Sequence, residues 1–210
     1  MNKIKHIVIK VLRMCFENIY HFRKRLFLKN KNFTILCNNC IGGCIYHILK
    51  KEFLSPTINL YMKTEDFIKF LSNLDFYIKS DLQQVPTKHS FPVGEISGLK
   101  LFFNHSPNFD TAKFDWEKRK NRIIKNNTYV IIREIDFDKV VPSETIDFLM
   151  SLYKNVVIIT FNPERRRLPH YQYIDIKGKD EFQKNWFGID LWDRKWNWAR
   201  FINKVGKTNE

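Results

Sequence analysis

Cys40 and His105 are the residues whose types and settings could do chemistry together, with Glu134 and Asp136 as carboxylates to support them. Cys40 stands in a stretch that reads strand, tight turn, helix. Phe33 to Cys37 is an apolar run, Asn38 and Asn39 are turn and capping residues, and Ile41 to Lys50 has helical spacing. With Asn39 as cap, Cys40 falls in the first helical turn, where unpaired N–H groups and the macrodipole favour negative charge. Its thiol is therefore expected to ionise below the pKa of about 8.5 of a free cysteine. Gly42 and Gly43 each cost a helix about 1 kcal/mol relative to alanine. Two in one turn imply that something approaches the backbone closely. His105 follows a later apolar run and Glu134 and Asp136 follow another, so all four sit just past strand-like segments. A thiolate nucleophile, an imidazole base, and Asp136 or Glu134 orienting that imidazole make an acyl-transfer set. The backbone N–H groups of Cys40 to Gly43 would then form the oxyanion hole.

The same stretch supports other chemistry. Asn38, Asn39, Gly42 and Gly43 could cradle a phosphate or a nucleotide-sugar diphosphate without covalent catalysis, with Lys118, Arg119 or Arg122 adding charge. Cys37, Cys40, Cys44 and His47 have spacings that suggest zinc or iron–sulfur. On a continuous helix, however, His47 lies about 10 Å along the axis from Cys40, so no metal cofactor is expected. If acyl transfer holds, the cofactor is an activated acyl donor. Trp116, Glu117 and Arg119 could stack a sugar and bond its hydroxyl or phosphate groups. Their plainer use is Trp116 in the core and Glu117 paired with Lys120 or Asn121. For Cys40 and His105 the plainer use is a small buried side chain and a polar loop residue.

The elements that must position these residues follow from periodicity. Thr57 to Tyr61 reads as a second strand, Thr64 to Leu74 as a helix, and Gln83 to Ser90 as loop. Phe91 to Ile96 and Leu99 to Phe103 flank a Ser97-Gly98 turn and form a hairpin. Phe109 to Ile124 and Pro142 to Tyr153 read as helices, and Tyr129 to Ile132 and Val156 to Thr160 as buried strands. Tyr171 to Ile176 is a last strand, and Trp186 to Phe201 a closing helix rich in tryptophan. Strands alternating with helices predict an α/β layered sandwich with a largely parallel sheet plus an antiparallel hairpin, its ligands at the carboxyl ends of strands.

Residues 1–31 are expected to be a basic amphipathic N-terminal helix and connector, and residues 32–210 a single α/β domain. Ile4, Val8, Val11, Leu12, Cys15, Ile19, Phe22 and Leu26 recur at helical spacing, with Lys10, Arg13, Glu17, His21 and Lys24 opposite. Lys10 and Arg13 interrupt the apolar run well short of the ~18–20 residues a bilayer span needs. Residues 1–28 could instead lie on an anionic membrane surface, or pack on protein. The 210 residues carry a formal net charge of +14, which points to an anionic partner. Nucleic acid has only that charge in its favour, because no reader module is recognisable. Four cysteines, all in the first quarter of the chain, suit reduced thiols in the cytoplasm, with the inner face of the cell membrane as a peripheral location.

Several blocks together resemble a bacterial family, the domain of unknown function numbered nineteen-nineteen, over about Asn32 to Phe201. They are Asn38-Asn39-Cys40-Ile41-Gly42-Gly43, Ser55-Pro56-Thr57-Ile58, Asp66 to Leu71, Pro92-Val93-Gly94, and His105 followed by Trp116-Glu117-Lys118-Arg119. Members are often labelled exopolysaccharide or capsular polysaccharide biosynthesis proteins, and some carry an acyltransferase label. The resemblance therefore implies surface-polysaccharide biosynthesis, with a glycan or lipid-linked sugar precursor as partner. Joined to the thiol chemistry, it gives an O-acetyl type acyltransferase. The alternative is a noncatalytic or glycosyltransferase-like component that binds a phosphorylated or nucleotide sugar.

Overall fold

A computed structural model of the chain describes residues 19, 21–134, 141–153, 155–160, 162–173 and 198–203. Residues 21–27 form helix α1. There follow β1 (Thr34–Cys37), α2 (Ile41–Leu49), α3 (Thr64–Ser72), α4 (Leu74–Lys79), β2 (Gln83–Val85), β3 (Val93–Ile96), β4 (Leu99–Phe102) and α5 (Phe109–Lys120). The chain continues through β5 (Thr128–Arg133), α6 (Ser143–Leu152), β6 (Asn155–Thr160), β7 (Tyr171–Tyr173) and α7 (Trp198–Asn203).

The apolar runs form a parallel sheet in the order β1-β5-β6-β7, and β2-β3-β4 form a separate antiparallel sheet. Side chains of a strand alternate between faces, and here both faces are covered, as continuous apolar strands require. Ile35, Cys37, Tyr129, Ile131, Val157 and Ile159 pack with α2 and α7 on one side. Leu36, Val130, Ile132, Val156 and Ile158 pack with α3, α5, α6 and the small sheet on the other. The architecture is the α/β layered one expected, with the hairpin extended to three strands. Its turn has positive φ at both Ser97 (45°) and Gly98 (84°), the signature of a tight two-residue hairpin.

Three local expectations are corrected. Thr57 to Tyr61 is not a strand: residues 56–59 are turns with Asn59 at φ 62°, and Tyr61 alone forms an isolated bridge, to Phe102. Gln83, Gln84 and Val85, the first three residues of the expected Gln83 to Ser90 loop, pair with β3, because an exposed polar strand is specified by its partner and not by its own sequence. The helix from Thr64 breaks at Asn73, where φ −141° and ψ 52° leave the helical region and α4 begins.

β1 is an edge strand, and its outward N–H groups are capped by side chains. The Tyr46 hydroxyl accepts from the Ile35 N–H and donates to the Phe33 carbonyl. Thr57 Oγ1 accepts from the Cys37 N–H and is itself hydrogen-bonded to Ser55. Paired edges of this kind leave no template for a stray strand. At the other end of the chain's first segment, Leu28 is buried, the Lys29 and Asn30 N–H groups donate to Asn203 Oδ1, and Asn30 exchanges amide hydrogen bonds with Asn127. The end of the basic connector is therefore fastened to the domain. Most of the expected amphipathic helix, residues 1–18 and 20, lies outside the described residues.

Candidate active site

The site is assembled by backbone riveting at the ends of β1, β5 and β4. Beyond β1, the Asn38 side chain reads the end of β5 bidentately, accepting from the Arg133 N–H (2.9 Å) and donating to the Arg133 carbonyl (2.8 Å). The Asn38 carbonyl accepts from the Met62 N–H, and Tyr61 exchanges both backbone hydrogen bonds with Phe102. Residues 61–62 thus tie the exit of β1 to the exit of β4, and His105 lies three residues past Phe102. The result is a distance of 2.9 Å between Cys40 Sγ and His105 Nε2, across 65 residues of sequence.

Cys40 immediately precedes α2, and the turn is closed by Asn39 Oδ1 accepting from the Ile41 N–H. The expectation of an acidified thiol is overturned. Burial pushes the Cys40 thiol up to about 11, and neighbouring Cys44 adds to the rise. The Asn104 side chain and the Arg133 guanidinium oppose this without reversing it. Desolvation of the charged form outweighs the helix start, so a proton acceptor must act during attack, and His105 is in position to be one. Arg133 is itself buried and held down to about 10, with Cys40 and Tyr61 as the groups that favour its charge. Sequence reasoning assigned no role to Asn104, Arg133 or Tyr61. The only available signals were adjacency to His105 and the end of the Tyr129 run.

The proposed oxyanion donors are partly engaged elsewhere: the Ile41 N–H by Asn39 and the Gly42 N–H by Cys37 Sγ (3.3 Å). The glycines do admit a close approach, but of the chain itself. A Cβ on Gly42 would lie 2.7 Å from Cys37 Sγ and 3.1 Å from Ile58 Cδ1, and one on Gly43 3.2 Å from Asn59 Oδ1 and Ile58 Cγ2. Of the expected phosphate cradle, Gly42 and Gly43 thus pack against Cys37, Ile58 and Asn59 and Asn38 is spent on Arg133, whereas Asn39 Nδ2 makes no hydrogen bond. Gly42→Ala should destabilise the fold by about 1–2 kcal/mol, overpacking outweighing the gain in helix propensity. A midpoint of thermal unfolding at or above wild type would show that Cys37 and Ile58 give way.

Glu134 does not orient His105. It forms a buried ion pair with Arg165 and accepts from the Val141 N–H. Asp136 lies outside the described residues. Trp116 is buried against Phe70, Glu117 pairs with Lys120, and Arg119 is held by Asp115, the Ile58 carbonyl and the Phe53 ring. Trp116, one percent exposed, cannot stack an external sugar, and Arg119 is spent within the domain, whereas the Glu117 side chain remains 41% exposed. Cys37, also buried, is raised to about 12 and hydrogen-bonded to the Asn39 carbonyl. Among the described residues, no three His, Cys, Asp or Glu side chains gather as a metal-binding group.

A model of the family described as "Domain of unknown function (DUF1919)" matches residues 11–190. The chain belongs to the DUF1919 family. The match starts before Asn32, taking in much of the N-terminal segment, and stops short of α7. An uncharacterized protein of Haemophilus influenzae is 35% identical to this DUF1919 chain over 136 residues, which is 65% of this chain and 65% of that relative's length.

Proposed function

We propose that this chain is an acyltransferase of O-acetyl type, acting on a glycan or lipid-linked sugar precursor in bacterial surface (exo/capsular) polysaccharide biosynthesis. The observation that carries the chemistry is the 2.9 Å contact between Cys40 Sγ and His105 Nε2. As Cys40 attacks the carbonyl of an activated acyl donor, its thiol proton passes to unprotonated Nε2. The S–C bond forms, the donor's leaving group departs with that proton, and a thioester remains on Cys40. A sugar hydroxyl then attacks the thioester, giving its proton to His105, and the new C–O bond replaces C–S as the thiol is restored. Two buried amide atoms beside the pair, Asn39 Nδ2 and Asn104 Oδ1, make no hydrogen bond. Such groups cost about 1–3 kcal/mol each, and their presence here supports a site arranged for a polar ligand. The polysaccharide assignment rests on the family resemblance.

Among the described residues no helix is long and apolar enough to cross a membrane. Residues Ile19, Phe22, Leu26 and Phe27 are exposed beside Arg23, Arg25 and Lys29, which supports peripheral attachment to the inner membrane face. The test compares polysaccharide from cells carrying wild type and Cys40→Ser. Loss of one acyl substituent with the sugar backbone intact is expected. Loss of a sugar residue or of polymer would favour the glycosyltransferase-like or noncatalytic component. In the same cells the protein should sediment with membranes, and Phe22→Asp with Leu26→Asp should release it; recovery of wild type in the supernatant would remove the membrane part.

A further inference from the structure

An aromatic surface adjoins the thiol–imidazole pair. Phe102 is half-buried on β4, and the Tyr61 ring lies 5.4 Å from it at an interplanar angle of 39°. His89 lies 5.7 Å from Phe102 at 84° and stacks on Phe91 at 4.8 Å and 7°. His89 is exposed, and Phe91 and Tyr61 are half-buried. The register runs this surface into the site. Val93 pairs with Phe102 and the Phe103 N–H donates to the Pro92 carbonyl, so Phe91 comes level with Asn104, one residue before His105. At its other end, Met62, next after Tyr61, donates its N–H to the Asn38 carbonyl, which sets Tyr61 beside the turn that carries Cys40.

We propose that Tyr61, His89, Phe91 and Phe102 form the subsite for the acceptor sugar, seating the C–H face of a pyranose with one hydroxyl directed at the Cys40–His105 pair. This rests on the acyl-transfer reading for the identity of the reaction, though the binding itself does not need the thiol. Ligand sites combine apolar and aromatic walls with a few convergent polar groups, and Asn104 and His105 supply the latter. An exposed aromatic face can stack a nucleobase as well as a sugar, so the choice of a sugar comes from the acyl-transfer reading, and AMP is the competing probe.

The experiment is saturation-transfer NMR, irradiating aromatic protons with methyl α-D-glucopyranoside or methyl α-D-galactopyranoside present, on wild type and Cys40→Ser alike. Transfer to the ring C–H protons of at least one glycoside is expected in both proteins. His89→Ala, at an exposed position that should not disturb folding, should weaken that glycoside about tenfold, and His89→Tyr should restore it. Affinity unchanged within twofold in His89→Ala, or saturation passing to AMP and to neither glycoside, would overturn the subsite. If Cys40→Ser leaves the cellular polysaccharide unaltered while the glycoside still binds through His89, the acyl-transfer reading fails and the sugar subsite stands.

Discussion

His105→Ala should lower the rate of acyl transfer through Cys40 by roughly 10²–10⁴-fold, the usual contribution of a positioned general base. The size follows from the state of the thiol. With burial holding it at about 11, only a minute fraction is thiolate near neutrality, so attack depends on handing the proton to Nε2 at 2.9 Å. Release of p-nitrophenol from p-nitrophenyl acetate in a single turnover measures the step. The pH dependence is fixed in sign. A raised thiol pKa means that direct alkylation of Cys40 by iodoacetamide should climb about tenfold per pH unit from 7 to 9 without a plateau, because the thiolate fraction does. A plateau in that interval would mean that sulfur and imidazole already rest as an ion pair, and the proton-transfer account would have to be abandoned.

Arg165→Met should cost the fold about 3–5 kcal/mol, because it strands the Glu134 carboxylate in the interior. Both side chains of that pair are nearly inaccessible, at 7% and 5% exposure, and Glu134 continues directly from β5 beside the site. Urea unfolding followed by tryptophan fluorescence reads the loss. The double change Glu134→Leu with Arg165→Met should recover most of it, since removing both charges removes the desolvation problem. A single variant within about 1 kcal/mol of wild type would show that water reaches the carboxylate after all.

Local pattern carried much of the architecture. The apolar runs of β1, β5 and β6 were readable because buried parallel strands need no alternation, and the Ser97-Gly98 turn because few dipeptides accept two positive φ values. Cys40 at the carboxyl end of β1 follows the rule that chemistry collects where parallel strands end, whereas His105, beyond β4 of the separate antiparallel sheet, is brought to it by residues 61–62. What escaped was non-local. β2 exists because β3 pairs with it, and the Thr57 segment is bent by Asn59 while its Ser55 and Thr57 hydroxyls serve the edge of β1. Paired glycines announced a close approach but could not say that Cys37 and Ile58 were what approached. The thiol's charge state is not legible locally, because a helix start is visible in sequence, whereas the burial that overrides it belongs to the folded whole.

The Asn38 amide grips both main-chain groups of Arg133, so the turn that leads into Cys40 is geared to the alignment of two strands. Any slippage between them would carry Cys40 away from the buried Arg133 guanidinium. On the acyl-transfer proposal, activity should therefore fail at milder heating than bulk unfolding, which makes it a sensitive gauge of the sheet's integrity.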